Sequence, residues 1–177
     1  NSSCYHPHVR RFSFEVNRTR TPVNLKVHHL GPVLMNSFAT RVVTNFQAHF
    51  DQVRDGDILL FAFGEIDVRV HFDKWTKIRG VNEEISRLSD LYIKAISNYT
   101  EKVKNASVWI HGIVPPTNRG YNPSFPFNGP LCERVNYTQI LNAHIKKLCE
   151  SVGFEFIDFY QNYSNPDGTL NPELSDN

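Results

Sequence analysis

Cysteine is scarce in this chain: Cys4, Cys132 and Cys149 are the three present. Their spacing fits no zinc site, and an odd count leaves at most one disulfide with one thiol over. No apolar run is long enough to form a membrane-spanning helix. Neither sign of charge dominates. Nineteen basic residues face 18 acidic ones, a net charge of +1, and that balance gives no reason to expect a nucleic-acid surface. No Gly-rich phosphate loop follows the early strands, which ranks a nucleotide-binding flavodoxin-like module low. The opening Asn1-Ser2-Ser3-Cys4 lacks a basic-then-apolar signal, although one could have been removed.

What is present is ordinary for a folded globular chain: 40% apolar and 21% charged residues over 177 positions. That length fits a single domain, 1–177, able to bury about 70% of the surface it exposes when unfolded. Cys149 falls in an amphipathic pattern and reads as a small core residue. Asn-x-Ser/Thr sequons occur at Asn1, Asn17, Asn98, Asn105, Asn136 and Asn162. Chance predicts about two, so the surplus leans slightly toward a secreted or surface-associated protein, with a cytoplasmic one as the alternative.

The hydrophobic pattern alternates strands with helices. Asn24 to Leu30 is short, partly β-branched and stopped by Gly31-Pro32, a strand pattern. From Ser37 to Phe50, apolar residues at 38, 42, 46 and 50 predict a helix that Ser37 can cap. Asp57 to Phe63 is a continuous apolar run ending at Gly64, as in a parallel strand covered on both faces. Ile85, Leu88, Leu91, Tyr92, Ala95, Ile96 and Tyr99 make one helical stripe starting near Val81. Ser107 to Val114 is the next strand, ended by Pro115-Pro116. A loop rich in Pro, Gly and Asn runs from 117 to 130. Glu133 to Ser151 predicts a helix stopped by Gly153, and Phe154 to Phe159 a last strand. Such alternation implies a parallel sheet with helices on both faces. Ligands of such sheets sit beyond the strands' carboxyl ends: at Gly31-Pro32, at Gly64 to Arg69, at Pro115-Pro116 and after Phe159.

The densest polar cluster is Gly64-Glu65-Ile66-Asp67-Val68-Arg69-Val70-His71, directly after a buried strand. An Arg fork favours ionised carboxylates and binds them bidentately, so the cluster suits either a site or an internally paired scaffold. His28 and His29 face opposite sides of their strand. His111 and His144 read as hydrogen-bonded packing residues rather than catalysts. His6 and His8 could suit a metal by spacing, but no acid or Cys lies at ligand distance, so neither metal nor cofactor is expected. Tyr5, Trp75, Tyr121, Phe125 and Phe127 are candidates for a sugar platform, or equally for packing in long loops.

The Gly64-Glu65-Ile66-Asp67-x-Arg69-x-His71 block resembles one found in a branch of the SGNH/GDSL hydrolase-like domains. So do Leu30-Gly31-Pro32, Pro115-Pro116, Glu133-Arg134-Val135, and Asp167-Gly168-x-Leu170 leading into Leu174-Ser175-Asp176. The resemblance covers His8 to the end. It implies a three-layer α/β/α sandwich with a flavodoxin-like parallel sheet, and ester hydrolysis, often of acylated glycans. Gly31 matches the oxyanion glycine, Gly64 and Asp67 the third block, and Asp176 the acid that orients the catalytic His. Glu65, Arg69, His71 and His8 would line the site. Ile66 stands where many members carry an Asn donor.

The resemblance also carries departures. His8-Val9-Arg10-Arg11-Phe12 fits the end of the first block, which places Pro7 at the nucleophilic serine and Ser13 on a helix. Proline has no hydroxyl to attack an ester. A His is expected shortly after Asp176, and the sequence ends at Asn177, so the domain reads as truncated there. The expectation is an SGNH-like domain that hydrolyses nothing and binds a glycan or a protein. The alternative is an active esterase or acyltransferase on an acylated glycan or small ester.

Overall fold

The computed structural model describes residues 8–16, 19–28, 30–42, 53–103, 105–118, 120 and 122–174. The chain forms two compact units, 1–33 and 34–177.

In the first unit, β1 (His8–Val16) and β2 (Thr19–Val27) make a two-stranded antiparallel ladder, with His8 opposite Val27 and Val16 opposite Thr19. Two expectations are corrected here. Ser13 lies in β1, not on a helix, and Asn24 to Val27 end a hairpin strand instead of entering the parallel sheet. The physical reason is legible in Phe12, Phe14 and Val16, which alternate with Ser13 and Glu15 at the strand's period of two.

The second unit is a mixed α/β body. A short helix, α1 (Met35–Ser37), widens into a π-type turn over Phe38–Val42. The rest of the helix expected through Phe50 lies outside the described residues. Next come β3 (Ile58–Ala62), a second π-type turn (Asp67–Phe72), α2 (Asp73–Arg79) and α3 (Val81–Thr100). Then follow β4 (Ser107–His111), α4 (Leu131–Val152), β5 (Glu155–Ile157) and α5 (Tyr160–Tyr163). The sheet is parallel, ordered β3-β4-β5, with Leu60 opposite Trp109 and Ile110 opposite Phe156.

The crossover helices form as their stripes predict. α3 buries Ile85, Leu88, Tyr92, Ile93 and Ile96; α4 buries Tyr137, Leu141, Ile145 and Cys149. The two helices pack against each other, and α4 packs on β5. Gly153 ends α4 in the left-handed conformation at φ +77°, where a side chain would be strained. Phe38, Phe63 and Tyr92 cluster in the core, with Phe38 and Phe63 stacked at 4.4 Å.

β3 departs from the expected double cover. Phe61 is buried, but Ile58 and Leu60, on the opposite face, are 51% and 50% exposed. A parallel strand alternates its side chains like any other, so each face is buried only where something packs on it.

Burial explains several polar residues without a site. His144 Nδ1 lies 2.7 Å from the buried Ser89 Oγ, which joins α4 to α3. His111 Nδ1 lies 2.6 Å from the Gly112 carbonyl. Cys149 is fully buried, and burial pushes its thiol up to about 12, too high for a reactive thiolate. Cys132 is exposed and free. The Thr hydroxyls of two sequons have structural uses: Thr100 donates to the Ile96 carbonyl and Thr138 to that of Arg134. No described helix is long and apolar enough to cross a membrane.

Candidate functional site

β3 ends at Ala62, and the chain turns at Gly64 with φ +107°. A Cβ there would come within 2.6 Å of Ile113 Cδ1 and 2.8 Å of Met35 Cε. Both the backbone angle and the space therefore demand glycine.

Asp67 follows, fully buried. Its carboxylate accepts the Met35 N–H at 2.7 Å and the Asn36 N–H at 3.4 Å. The first backbone donors of a helix have no partner within it, and α1 gets no cap from its own Leu34. Asp67 supplies that cap from a distant part of the sequence. Desolvation raises its pKa to about 6, opposed by the Met35 and Asn36 N–H groups and, more weakly, by Arg87.

The block is tied down further on. Arg69 Nε bonds Glu65 at 2.5 Å, and its guanidinium donates to the Pro126 carbonyl. Asn128 donates its backbone N–H to the Arg69 carbonyl and its side-chain amide to that of Val70. The Pro-rich loop is thus pinned along the block. Gly129, at φ +76°, lies so close to Asp73 that a Cβ would sit 2.9 Å from it. His71 stacks on Trp75 at 5.1 Å, and burial lowers its pKa, helped by Lys74.

At the next strand end, Asn142 from α4 bonds both backbone groups of Ile113, accepting its N–H at 2.8 Å and donating to its carbonyl at 2.9 Å. The Pro116 carbonyl accepts the Leu170 N–H. Asp167 holds that last loop by accepting from Thr169, and Gly168 packs where a Cβ would be 2.7 Å from Val135.

Between the Gly64 block, the Ile113 to Thr117 segment and α4 lies a narrow cleft, open to solvent at its mouth, with room inside for about one water molecule. Its walls include Glu65, Arg69, Pro116, Thr117, Arg134 and Thr138. It lies beyond the carboxyl ends of β3 and β4, where a parallel sheet places its ligands.

The predicted residues divide accordingly. Glu65 and Arg69 line the cleft, while Gly64, Asp67 and His71 belong to the same block, and Asp67 acts as an internal support. Gly31 is in the first unit, at φ +72° with open space around it. His8 opens β1. Asp176 and Pro7 lie outside the described residues, as do Tyr5 and Tyr121. Of the other aromatic candidates, Phe125 is exposed, Phe127 lies over Arg134, and Trp75 is occupied by His71.

Residue-by-residue reading missed Asn142 and the buried Glu84. The signal for Glu84 was the flanking Arg79 and Arg87, the latter three residues on, at helical spacing. Among the described residues no group of His, Cys, Asp and Glu could hold a metal ion. No family model matches the chain, and neither do any curated protein or solved structure.

Proposed function

We propose that this chain is an SGNH-like domain of carbohydrate-esterase ancestry that binds a glycan without hydrolysing it. Its fold in this reading is a flavodoxin-like three-layer sandwich, a reading that the parallel β3-β4-β5 sheet and its crossover helices α3 and α4 support. One observation carries the proposal. Three segments far apart in sequence contribute to one cleft at the carboxyl edge, Gly64 to His71, Pro115-Pro116 and Glu133 to Val135, and a fourth, Asp167 to Leu170, packs beside them through the Leu170 N–H to the Pro116 carbonyl and Gly168 against Val135. They are four of the segments that resemble the SGNH blocks; Leu30-Gly31-Pro32, another, belongs to the first unit. The parallel topology brings all four to that edge, and their likeness to the SGNH blocks is what supports reading the edge as a site.

The loss of hydrolysis rests on Pro7. An acyl transfer of this type needs a hydroxyl nucleophile, a base to take its proton and donors for the oxyanion. Proline at the nucleophile position removes the first of these. Catalysis would then be silent while the walls of the site remain.

The test pairs turnover with binding. The chain is incubated with p-nitrophenyl acetate and with an acetylated oligosaccharide, and binding of the oligosaccharide is followed by calorimetry. The expected result is saturable binding with hydrolysis no faster than buffer. Turnover above buffer that disappears in Asp176→Ala would establish the active esterase instead. Absence of both turnover and binding would remove the glycan reading.

A further inference from the structure

Arg134 is a buried cation of the second unit with no carboxylate bonded to it among the described residues. It is 3% exposed, and its buried Nε has no hydrogen-bond partner. Among the described residues no carboxylate, carbonyl or hydroxyl accepts from its guanidinium, which lies over the Phe127 ring at 4.5 Å. Buried polar atoms are normally paired, and a buried guanidinium Nε without an acceptor calls for an explanation. Two other arginines near the block have partners: Arg69 has Glu65 and Pro126, and Arg87 has Glu84 and Asn36. Arg134 has the Phe127 ring and the more distant charge of Glu65, but its Nε has no acceptor, and it lines the cleft.

The charge count selects the ligand. Arg69 and Arg134 bring two positive charges to the walls, and Glu65 brings one negative charge that Arg69 already engages. Among the described lining residues the excess is a single positive charge, on Arg134. A monovalent anion balances it, whereas a dianion would place its second charge against Glu65. A planar carboxylate also matches the two-pronged donor face of a guanidinium. Burial and the nearby Arg69 both push the Arg134 pKa down, which a bound anion would reverse.

We propose that the cleft beyond β3 and β4 binds a single carboxylate group through Arg134, with Arg69 and Glu65 at its rim setting its preference for one negative charge. The inference rests on Arg134 and the cleft, and it stands whether or not the domain binds glycans. The carboxylate could belong to a free small acid or to an acidic sugar.

The full chain is titrated with sodium acetate, sodium glucuronate and sodium phosphate at matched ionic strength, while the arginine Nε–H signals are followed by NMR. Acetate and glucuronate should each shift the Arg134 signal saturably, and phosphate should bind more weakly. Tighter binding of glucuronate assigns an acidic sugar, and equal binding a small acid. Arg134→Met should weaken acetate binding by about tenfold or more, from loss of a charged hydrogen-bonded contact. Arg134→Lys keeps the charge without the fork, so it should bind more weakly than the parent protein; it serves if the Met variant does not fold. Glu65→Gln should remove the discrimination against phosphate. The proposal fails if no saturable shift appears below about 100 mM, a bound too weak for a built site. It also fails if phosphate binds as tightly as acetate, or if both Arg134 variants bind acetate like the parent.

Discussion

Glu84 and Asp67 are both fully buried carboxylates of the second unit, and the fold holds them by different means. Glu84, in the first turn of α3, sits between two guanidinium groups: Arg87 bonds both its oxygens, and Arg79 reaches it at 3.1 Å. Among the described residues Asp67 has no cation bonded to it, and it relies on backbone N–H groups of the Met35 segment. Glu84 is therefore a charge matched by charges, while Asp67 is a charge matched by dipoles. Full charges balance a carboxylate better than two N–H groups do, so the cost of burial shows at Asp67 as a pKa raised to about 6. The support beneath the candidate site is thus the acid with the weaker compensation.

Breaking the Glu84 cluster should have the largest effect. Glu84→Ala leaves Arg79 and Arg87 without their carboxylate in a partly buried setting. Removing one partner of a buried ion pair costs about 3–5 kcal/mol, and the arginines' partial exposure puts this case near 3. Urea denaturation of parent and variant measures it. A loss below about 1 kcal/mol would place the pair in the surface class, and the contrast with Asp67 would collapse.

Asp67 should show itself through pH. Its folded pKa of about 6 lies above the ordinary value of 3.8, so between these limits the folded state holds a proton that the unfolded state has released. Folding is then proton-linked, and stability falls as pH rises from 4 to 6. Below 4 the contribution is fully present; above 6 it is gone. A shift of this size is worth at most about 3 kcal/mol. Asp67→Asn should remove that part of the slope, read as the difference between the two proteins' urea midpoints at pH 4, 5, 6 and 7. Parallel pH profiles for the two proteins would mean that Asp67 is not the titrating group.

The same contrast marks what was legible in the sequence. β3, α3, β4, α4 and β5 follow from apolar runs and 3.6-residue stripes, because each buries a face fixed by its own local pattern. The Gly64 to His71 block was visible as a polar cluster after a strand, and the resemblance grouped it with Pro115-Pro116 and Glu133 to Val135. The bonding inside it was not visible. Nothing local tells that Asp67 will cap Met35, 32 positions away, or that the buried Arg134 Nε will be left without an acceptor. Those facts depend on which loops meet, and sequence spacing carries no term for that. The hairpin was misread because the resemblance at His8 to Phe12 brought a helix with it, while the period-two pattern of Phe12, Phe14 and Val16 argued for a strand.

Asn142 offers the smallest and cleanest test of the comparison. Like Asp67, it is a buried side chain from one element that satisfies backbone groups of another, here the N–H and carbonyl of Ile113 at the end of β4. Unlike Asp67, it carries no charge, so it satisfies the strand end without any proton linkage. Asn142→Ala should orphan two buried backbone groups and cost about 2 kcal/mol, a typical penalty for unsatisfied buried polar atoms. That loss should be the same at pH 4 and pH 7, because no titrating group is removed. Parallel urea curves at the two pH values would separate dipole matching from charge burial. A loss that changed with pH would mean that Asn142 acts through a neighbouring ionisable group, and that the distinction between the two kinds of support is not local to each residue.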